Sequence, residues 1–560
     1  MVAALAVAAA ACDSPSAPAT PLASTPNGPV SVKPGGTLTF VNERDLPTFN
    51  LNTVEGASFH GQLVMDRVWP QVFLVNPQLK PVLDNELMQS VELINTNPQT
   101  IVYKINPAAN WSDGVPISAD DFDYNWRAQN GTGHDIDGKP FDVASTSGYQ
   151  AIKSVTGSGN GKTVTVVFSQ PYSDWESLFD NLVPAHVARR VGWNHGFDAF
   201  NPAVIISGGP FMVSSDSPGQ SVTITRNPHY WGPPPNLDQI VFKLQPDGGQ
   251  DSLLLQSGQA QMAYPTEPPA SVVQSIKALP GIASQTNLGL TFEHLDFNQR
   301  NPFLADPKVR QAIAEATDRK ELIDDTVGKV DPYVRPLNNH IFVNSQPGYQ
   351  DNSGGLSYDL ADAKHQLEQD GYVLGPDGYY HKGGNTLELR LSTDTDSQLR
   401  IGLEFLFIAQ MKALGVKIDV ANTDSGTLLQ STLPGGNFDL ALFEWMATPF
   451  ASATASIYQT LDLATGAGAQ NYNGYSDPQV DTLFGQASAE LNQGRGTLMY
   501  NQIDQQLWKD MVSLPLFPVP TFIAYSKSYV NIADNTSEFG PFWNAETWGI
   551  KAAPATKIHR

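Results

Sequence analysis

Cysteine is almost missing, with one residue, Cys12, in a chain of 560. An intramolecular disulfide and a thiolate-based metal site are therefore excluded. Charge is scarce too: Asp, Glu, Lys and Arg make up 16% of the chain, against about a quarter in an average soluble protein. What charge there is leans one way, 33 Lys plus Arg against 56 Asp plus Glu, a formal −23. A surface of that sign is repelled by a phosphate backbone, so nucleic-acid binding is excluded. Beyond the first dozen residues no apolar run approaches the roughly 20 residues that a spanning helix needs. Signatures of catalysis are missing as well. There is no H-E-x-x-H, no G-x-S-x-G, and no close pairing among the ten His residues. Gly157-Ser158-Gly159-Asn160-Gly161-Lys162-Thr163 has the look of a phosphate loop, but the motif's first Gly would fall on Thr156. A β-branched run follows it where the motif needs a helix N-terminus, so it reads as a hairpin turn. His134-Asp135-Ile136-Asp137-Gly138 and Asp394-Thr395-Asp396 lack the ligand spacing of a calcium loop. No enzyme, metal or cofactor is expected.

What is present is 41% apolar residues with 10% aromatics, enough for large cores. At roughly 150 residues per domain, the length suggests three or four units. The run Leu5-Ala6-Val7-Ala8-Ala9-Ala10-Ala11 leads into Cys12 and then into Pro, Ser, Thr and Ala. It resembles a bacterial lipoprotein signal, in which the Cys becomes the lipidated N-terminus. It departs from that pattern in Ala9, where Leu or Val is usual, and in having no Lys or Arg before Lys33. Residues 1–12 are expected to be signal-like, with Cys12 the lipid anchor. Residues 13–35, with six prolines, are expected to be a disordered tether, order beginning at Gly36.

Beyond the tether, strands and helices mix without a repeat. Thr163–Phe168 and Ser221–Thr225 are β-branched strands. Ser118 caps a helix with Asp120 and Asp121 in its first turn, and Phe122 and Trp126 share a face. Asp306-Pro307 is an N-cap followed by a first-turn proline, with Val309, Ile313 and Ala316 as its buried stripe. Residues 386–421 carry the most information. Leu387, Leu389 and Leu391 alternate; Ile401, Phe405, Ile408 and Met411 recur at helical spacing; Gly415 stops the helix; Val416, Ile418 and Val420 alternate again. That is a strand–helix–strand crossover, hence a parallel α/β layer, with a further strand at Phe438–Phe443.

Several stretches, in order, resemble the family 5 extracellular solute-binding proteins. The segment from Trp111-Ser112-Asp113-Gly114 through Ala119-Asp120-Asp121-Phe122 to Trp126 matches W-S-D-G-x-P-[VI]-[ST]-A-x-D-[VF]-x-[YF]-x-W. Gly208-Gly209-Pro210-Phe211, Arg226-Asn227-Pro228-His229-Tyr230-Trp231, Phe297-Asn298 through Asp318-Arg319, Gly415-Val416-Lys417-Ile418 and Phe438-Asp439-Leu440 resemble its other segments. The matches run from about 36 to 525 and are similar in style to actinobacterial oligopeptide- and dipeptide-binding lipoproteins. The resemblance implies an α/β, two-lobe periplasmic-binding-protein-like (class II) fold with an inserted third subdomain and a discontinuous hinge. It places lobe I at 36–290 plus 515–560, an insert near 58–185, and lobe II at 291–514. The Trp111–Trp126 segment and the Asn227–Trp231 corner are expected to be structural.

The function implied is an extracytoplasmic receptor of an ABC importer. It would be a monomer anchored to the membrane's outer face, closing on a peptide and handing it to a permease. Ligands of open parallel sheets bind beyond the strands' carboxyl ends, so the strand at 438–443 delivers Glu444, Trp445, Met446 and Thr448 to the crevice. The resemblance implies G-W-x-x-D here, its Asp holding the peptide's α-ammonium. This chain keeps Trp445 but has Glu444 in the Gly slot and Thr448 in the Asp slot. Glu444 or Glu55 is then expected to replace the missing acid, with Thr448 a neutral hydrogen-bond partner. Glu55-Gly56-Ala57-Ser58 resembles the loop that meets the ligand's main chain, and Asn339 and His340, after Asn338, are further cleft candidates. A non-peptide ligand on the same fold, a guanidino or amino-acid-like compound or haem, is the alternative, and a secreted hydrolase the third reading.

Overall fold

The computed structural model describes residues 31–462 and 468–552, so Cys12 and residues 13–30 of the expected tether lie outside the described residues. The end of the tether needs correction. Val32–Lys33 is a short strand paired antiparallel with Gly549–Lys551. A Cβ on Gly549 would sit 2.1 Å from Val32 Cγ1, so the pairing depends on a glycine more than 500 positions away. No local pattern could show it.

One ten-stranded mixed sheet runs through the molecule. From edge to edge its strands are Lys417–Val420, Glu388–Ser392, Leu440–Met446, Ile282–Phe297, Ser513–Ser526, Met262–Ala263, Thr37–Asn42, Gln239–Leu244, Ser221–Arg226 and Phe211–Ser217. The two long antiparallel strands in the middle, Ile282–Phe297 and Ser513–Ser526, connect two hydrophobic cores. At one end Leu295, Phe297, Leu514 and Phe517 pack with Leu389, Leu391, Leu403 and Met411. At the other, Phe522 and Ala524 pack with Leu254, Leu255 and Ile276. Between them the ladder slips at Leu288/Phe292 and at Glu293/His294, where Pro515, Pro518 and Pro520 lie opposite. Proline brings no N–H to a ladder, so the hydrogen-bonded ribbon is weakest midway between the cores.

The crossover at 386–421 forms as expected. Glu388–Ser392 and Lys417–Val420 pair in parallel around helix Gln398–Leu414. Gly415, at φ 98°, caps the helix by donating to the Met411 and Lys412 carbonyls. The helix face is a correction. Leu403, Phe407, Met411 and Leu414 are buried, Ile401 and Ile408 only half-buried, and Phe405 is 76% exposed. The helix is apolar around much of its circumference, and the polar contacts of Arg400 and Glu404 turn a different face inward.

A separate four-stranded antiparallel sheet, ordered Met88–Thr96, Gln99–Ile105, Thr163–Phe168, Ile152–Ser158, lies within the first part of the chain. Gly157–Thr163 is its hairpin, with Ser158 opposite Thr163. Helix Ala119–Gln129 packs on it behind a capping box made by Ser118 and Asp121. Trp111 and Phe122 are fully buried there, in an interior continuous with that of the main sheet's first half.

Candidate functional site

A cavity of about 580 Å³ lies between the two halves, well within the roughly 300–1,000 Å³ usual for small-ligand sites. Met446, Thr448, Phe450, Ser452 and Ala453, at and beyond the end of strand Leu440–Met446, form its second-half wall. The first-half wall comes from the loop around Ala57 and Ser58, from Gln62, from the stretch Tyr172–Asn181 and from Glu538–Phe539. Three carboxylates, Glu176, Asp180 and Glu538, line the cavity, and no Lys, Arg or His is among its lining residues.

Asp180 is held by its neighbours. Phe179 and Asn181 on either side have φ of 62° and 45°, a left-handed backbone that non-glycine residues rarely adopt. The Phe179 N–H donates to the Tyr149 hydroxyl at 2.7 Å, the Asn181 amide donates to Gln62 Oε1 at 3.1 Å, and Asn52 donates to the Asn181 carbonyl at 3.0 Å. Burial pushes the Asp180 carboxyl up to about 6 and the Glu538 carboxyl up to about 7. Glu538 Oε2 is shielded from solvent with no hydrogen-bond partner among the described residues.

Besides apolar packing, two sets of polar contacts reach from one half to the other. In one, Ser452 N–H donates to Asp174 Oδ2 at 2.9 Å, and Ser173 N–H to the Ser488 carbonyl at 2.7 Å. In the other, Glu267 of the first half meets helix Gln398–Leu414 of the second. Its carboxylate accepts from Ser397 Oγ at 2.5 Å and lies 3.1 Å from Arg400 Nη2. Arg400 is the centre of a larger cluster, with Asp394 at 2.7 Å, Glu293 at 2.9 Å and Glu444 at 3.3 Å. Four acids around one guanidinium cannot all be ionised cheaply in a buried setting, and burial holds both Glu293 and Glu444 well above the usual carboxylate range. Glu267, Glu293 and Glu444 bring one oxygen apiece within 4.8 Å of one another, as metal ligands would. The guanidinium already lies in contact with all three, so the cluster carries its own cation.

The model of the bacterial extracellular solute-binding proteins, family 5, matches residues 83–466. The chain belongs to family 5. It is 31% identical over 520 residues to the oligopeptide-binding protein OppA of Mycobacterium tuberculosis, covering 90% of this chain and 83% of that one. Among solved structures it is similar to the periplasmic EDTA-binding protein EppA, with a TM-score of 0.85 at 29% identity over 93% of this chain and 98% of the other. The fold is also that of AppA from Bacillus subtilis, solved in complex with a nonapeptide, at a TM-score of 0.75 and 19% identity over 93% and 100% of the two chains. The two-lobe α/β architecture is thus the family 5 fold.

Within that family 5 frame the expected site residues separate. Ala57, Met446 and Thr448 line the cavity. Thr448 nevertheless spends its hydroxyl on its own turn, accepting from the Phe450 N–H at 3.1 Å and donating to the Phe450 carbonyl at 3.0 Å. Trp445 lies behind the wall, stacked between Tyr472 and His294 at ring-centre distances of 5.8 and 5.9 Å. Glu444 reaches Arg400 at 3.3 Å with its side chain 38% exposed, so its carboxylate is shared with that guanidinium and lies outside the cavity lining. Glu55 is exposed and outside the cavity lining. Gly56 serves its own loop: a Cβ there would lie 2.0 Å from the Asn50 carbonyl oxygen. Asn339 and His340 are corrections. Both are buried away from the cavity. The Asn339 carbonyl oxygen of the side chain accepts from the Ile341 and Phe342 N–H groups. His340 Nδ1 lies 2.7 Å from Asp504 Oδ1 and its Nε2 3.1 Å from the Ser513 carbonyl.

Sequence reasoning missed Asp180, Glu538 and the Arg400 cluster. Arg400 and Glu404 did leave a signal, as charges inside an otherwise apolar helix. Asp180 left none, because its position comes from contacts with Asn52, Gln62 and Tyr149, all distant in sequence.

Proposed function

We propose that this protein is the ligand receptor of an ABC importer, taking up peptides between two lobes and delivering them to a membrane permease. The observation that carries the reading is one cavity walled by both halves, beside two crossing strands whose ladder is interrupted midway. Membership of family 5 and the likeness to an oligopeptide-binding protein support it. Lobe I is then 32–290 with 515–552, carrying the insert near 58–185, and lobe II is 291–514. The hinge is the proline-faced slip between Leu288 and His294. Closure follows from bridging: a ligand touching both walls binds the closed form better than the open one and shifts the population by that difference. The chain acts without catalysis, as a monomer held at the outer face of the membrane through Cys12. A non-peptide ligand on the same frame is the second reading, favoured by the similarity to the EDTA-binding EppA.

Native mass spectrometry of the purified protein with its carried-over ligand tests the reading. A set of masses resolving into peptides by fragmentation is expected. One homogeneous non-peptide mass would replace it with the second reading.

A further inference from the structure

We infer that the ligand enters this cavity with an ammonium or guanidinium group, which lodges against Asp180 and Glu538 on the lobe I wall. The inference rests on the receptor reading and adds the chemistry of what is received. Three things on the wall support it. First, its charge is of one sign: Glu176, Asp180 and Glu538 line the cavity and no basic side chain does. An anionic ligand or a free carboxylate end would meet only repulsion there, and in a partly desolvated cavity that repulsion is strong.

Second, one carboxylate oxygen of this wall is unused. The acids elsewhere at the lobe interface have partners: Glu267, Glu293, Asp394 and Glu444 share Arg400, and Asp174 accepts from Ser452. Glu538 Oε2, by contrast, is closed off from solvent and has no hydrogen-bond partner among the described residues. Behind it Asp66, 1% exposed, also keeps Oδ2 unpartnered and adds its field to the same corner. Buried acceptors without donors are costly unless something occupies them, and a cation bearing N–H groups satisfies both the charge and the lone pairs. Third, Phe179 and Asn181, on either side of Asp180, themselves hold the left-handed backbone that non-glycine residues rarely adopt, of the sort that gathers at ligand clamps.

The shared chemistry could come from a peptide's α-ammonium, from a Lys or Arg side chain, or from a free polyamine or guanidino compound. Competition monitored by native mass spectrometry at pH 7.5 separates them. The probes are a random tetrapeptide mixture free of Lys and Arg, the same mixture N-acetylated, an N-acetylated mixture containing Lys and Arg, agmatine, spermidine and EDTA. At least one cationic probe is expected to be retained about tenfold or more over the acetylated Lys/Arg-free mixture, and Asp180→Asn with Glu538→Gln should remove that preference. Thermal melts verify that the double variant is folded, and the acetylation contrast on the unaltered protein needs no variant. Retention of acetylated Lys/Arg-free peptides equal to that of the free ones would overturn the inference while leaving the peptide receptor intact. Agmatine or spermidine bound with no peptide, and lost in the variant, would uphold the inference and overturn the peptide reading. Preferential retention of EDTA, or of no cationic probe at all, would overturn the inference.

Discussion

Arg400→Met separates an electrostatic keystone from a decorative surface charge. The substitution keeps an unbranched apolar stem at a side chain that is only 9% exposed, and removes the guanidinium that contacts Glu267, Glu293, Asp394 and Glu444. Breaking a buried pair from one side usually costs about 3–5 kcal/mol, because the remaining charge is left in a low dielectric. The protein has an escape. A stranded carboxylate can take up a proton, at a cost of ~1.4 kcal/mol for each pH unit above a reference value near ~4. That route limits the loss from one carboxylate to about 4 kcal/mol at pH 7 and about 1.5 kcal/mol at pH 5. The sign follows from linkage. In the variant the folded state binds a proton that the unfolded state has released, so stability is full below the unfolded value and falls as pH rises above it. Glu293, whose carboxyl is already raised by burial, contributes the same sign in the unaltered protein and cancels in the difference. Urea unfolding at pH 5 and pH 7, followed by far-UV circular dichroism, reads both losses. A loss below about 1 kcal/mol at pH 7, or a loss that does not shrink by pH 5, would refute the argument.

Three further outcomes follow from packing and hydrogen bonding. His340→Ala strips two contacts from a side chain with no solvent exposure and should cost about 3–5 kcal/mol in unfolding experiments, while ligand affinity of the folded fraction stays unchanged; weakened binding at unaltered stability would place His340 in the cleft after all. Gly56→Ala forces a Cβ onto the Asn50 carbonyl oxygen at 2.0 Å and should destabilise by about 1–3 kcal/mol; a melting temperature equal to that of the parent would show that the loop is looser than this. In helix Gln398–Leu414, Phe407→Ala should cost about 3–5 kcal/mol, whereas Phe405→Ala, at a residue 76% exposed, should stay within about 0.5 kcal/mol. The reverse order in urea unfolding would restore the stripe read from the sequence.

Several features are decided within a few residues of chain, and these were legible in the sequence. The Ser118–Asp121 capping box and Asp306 before Pro307 rest on side chains bonding to backbone a few positions away, and the C-cap at Gly415 and the hairpin at Gly157–Thr163 on backbone bonds between near neighbours. The crossover at 386–421 was legible for the same reason, since two alternating runs around one long apolar helix admit little else. The lack of cysteine, the acidic balance and the ordered family segments also belong to the sequence alone. Tertiary structure decided the rest. The face of helix Gln398–Leu414 depends on where Arg400 finds Glu267, Glu293 and Glu444, all from other parts of the chain. Asn339 and His340 look like cleft residues in a loop sequence, yet Asn501, Asp504 and Ser513 draw them inward. Above all, a chain with 56 acidic residues cannot reveal which of them meet across a cavity. Electrostatic environment depends on distance in space and on burial, and both arise only when segments around residues 60, 180 and 538 pack together.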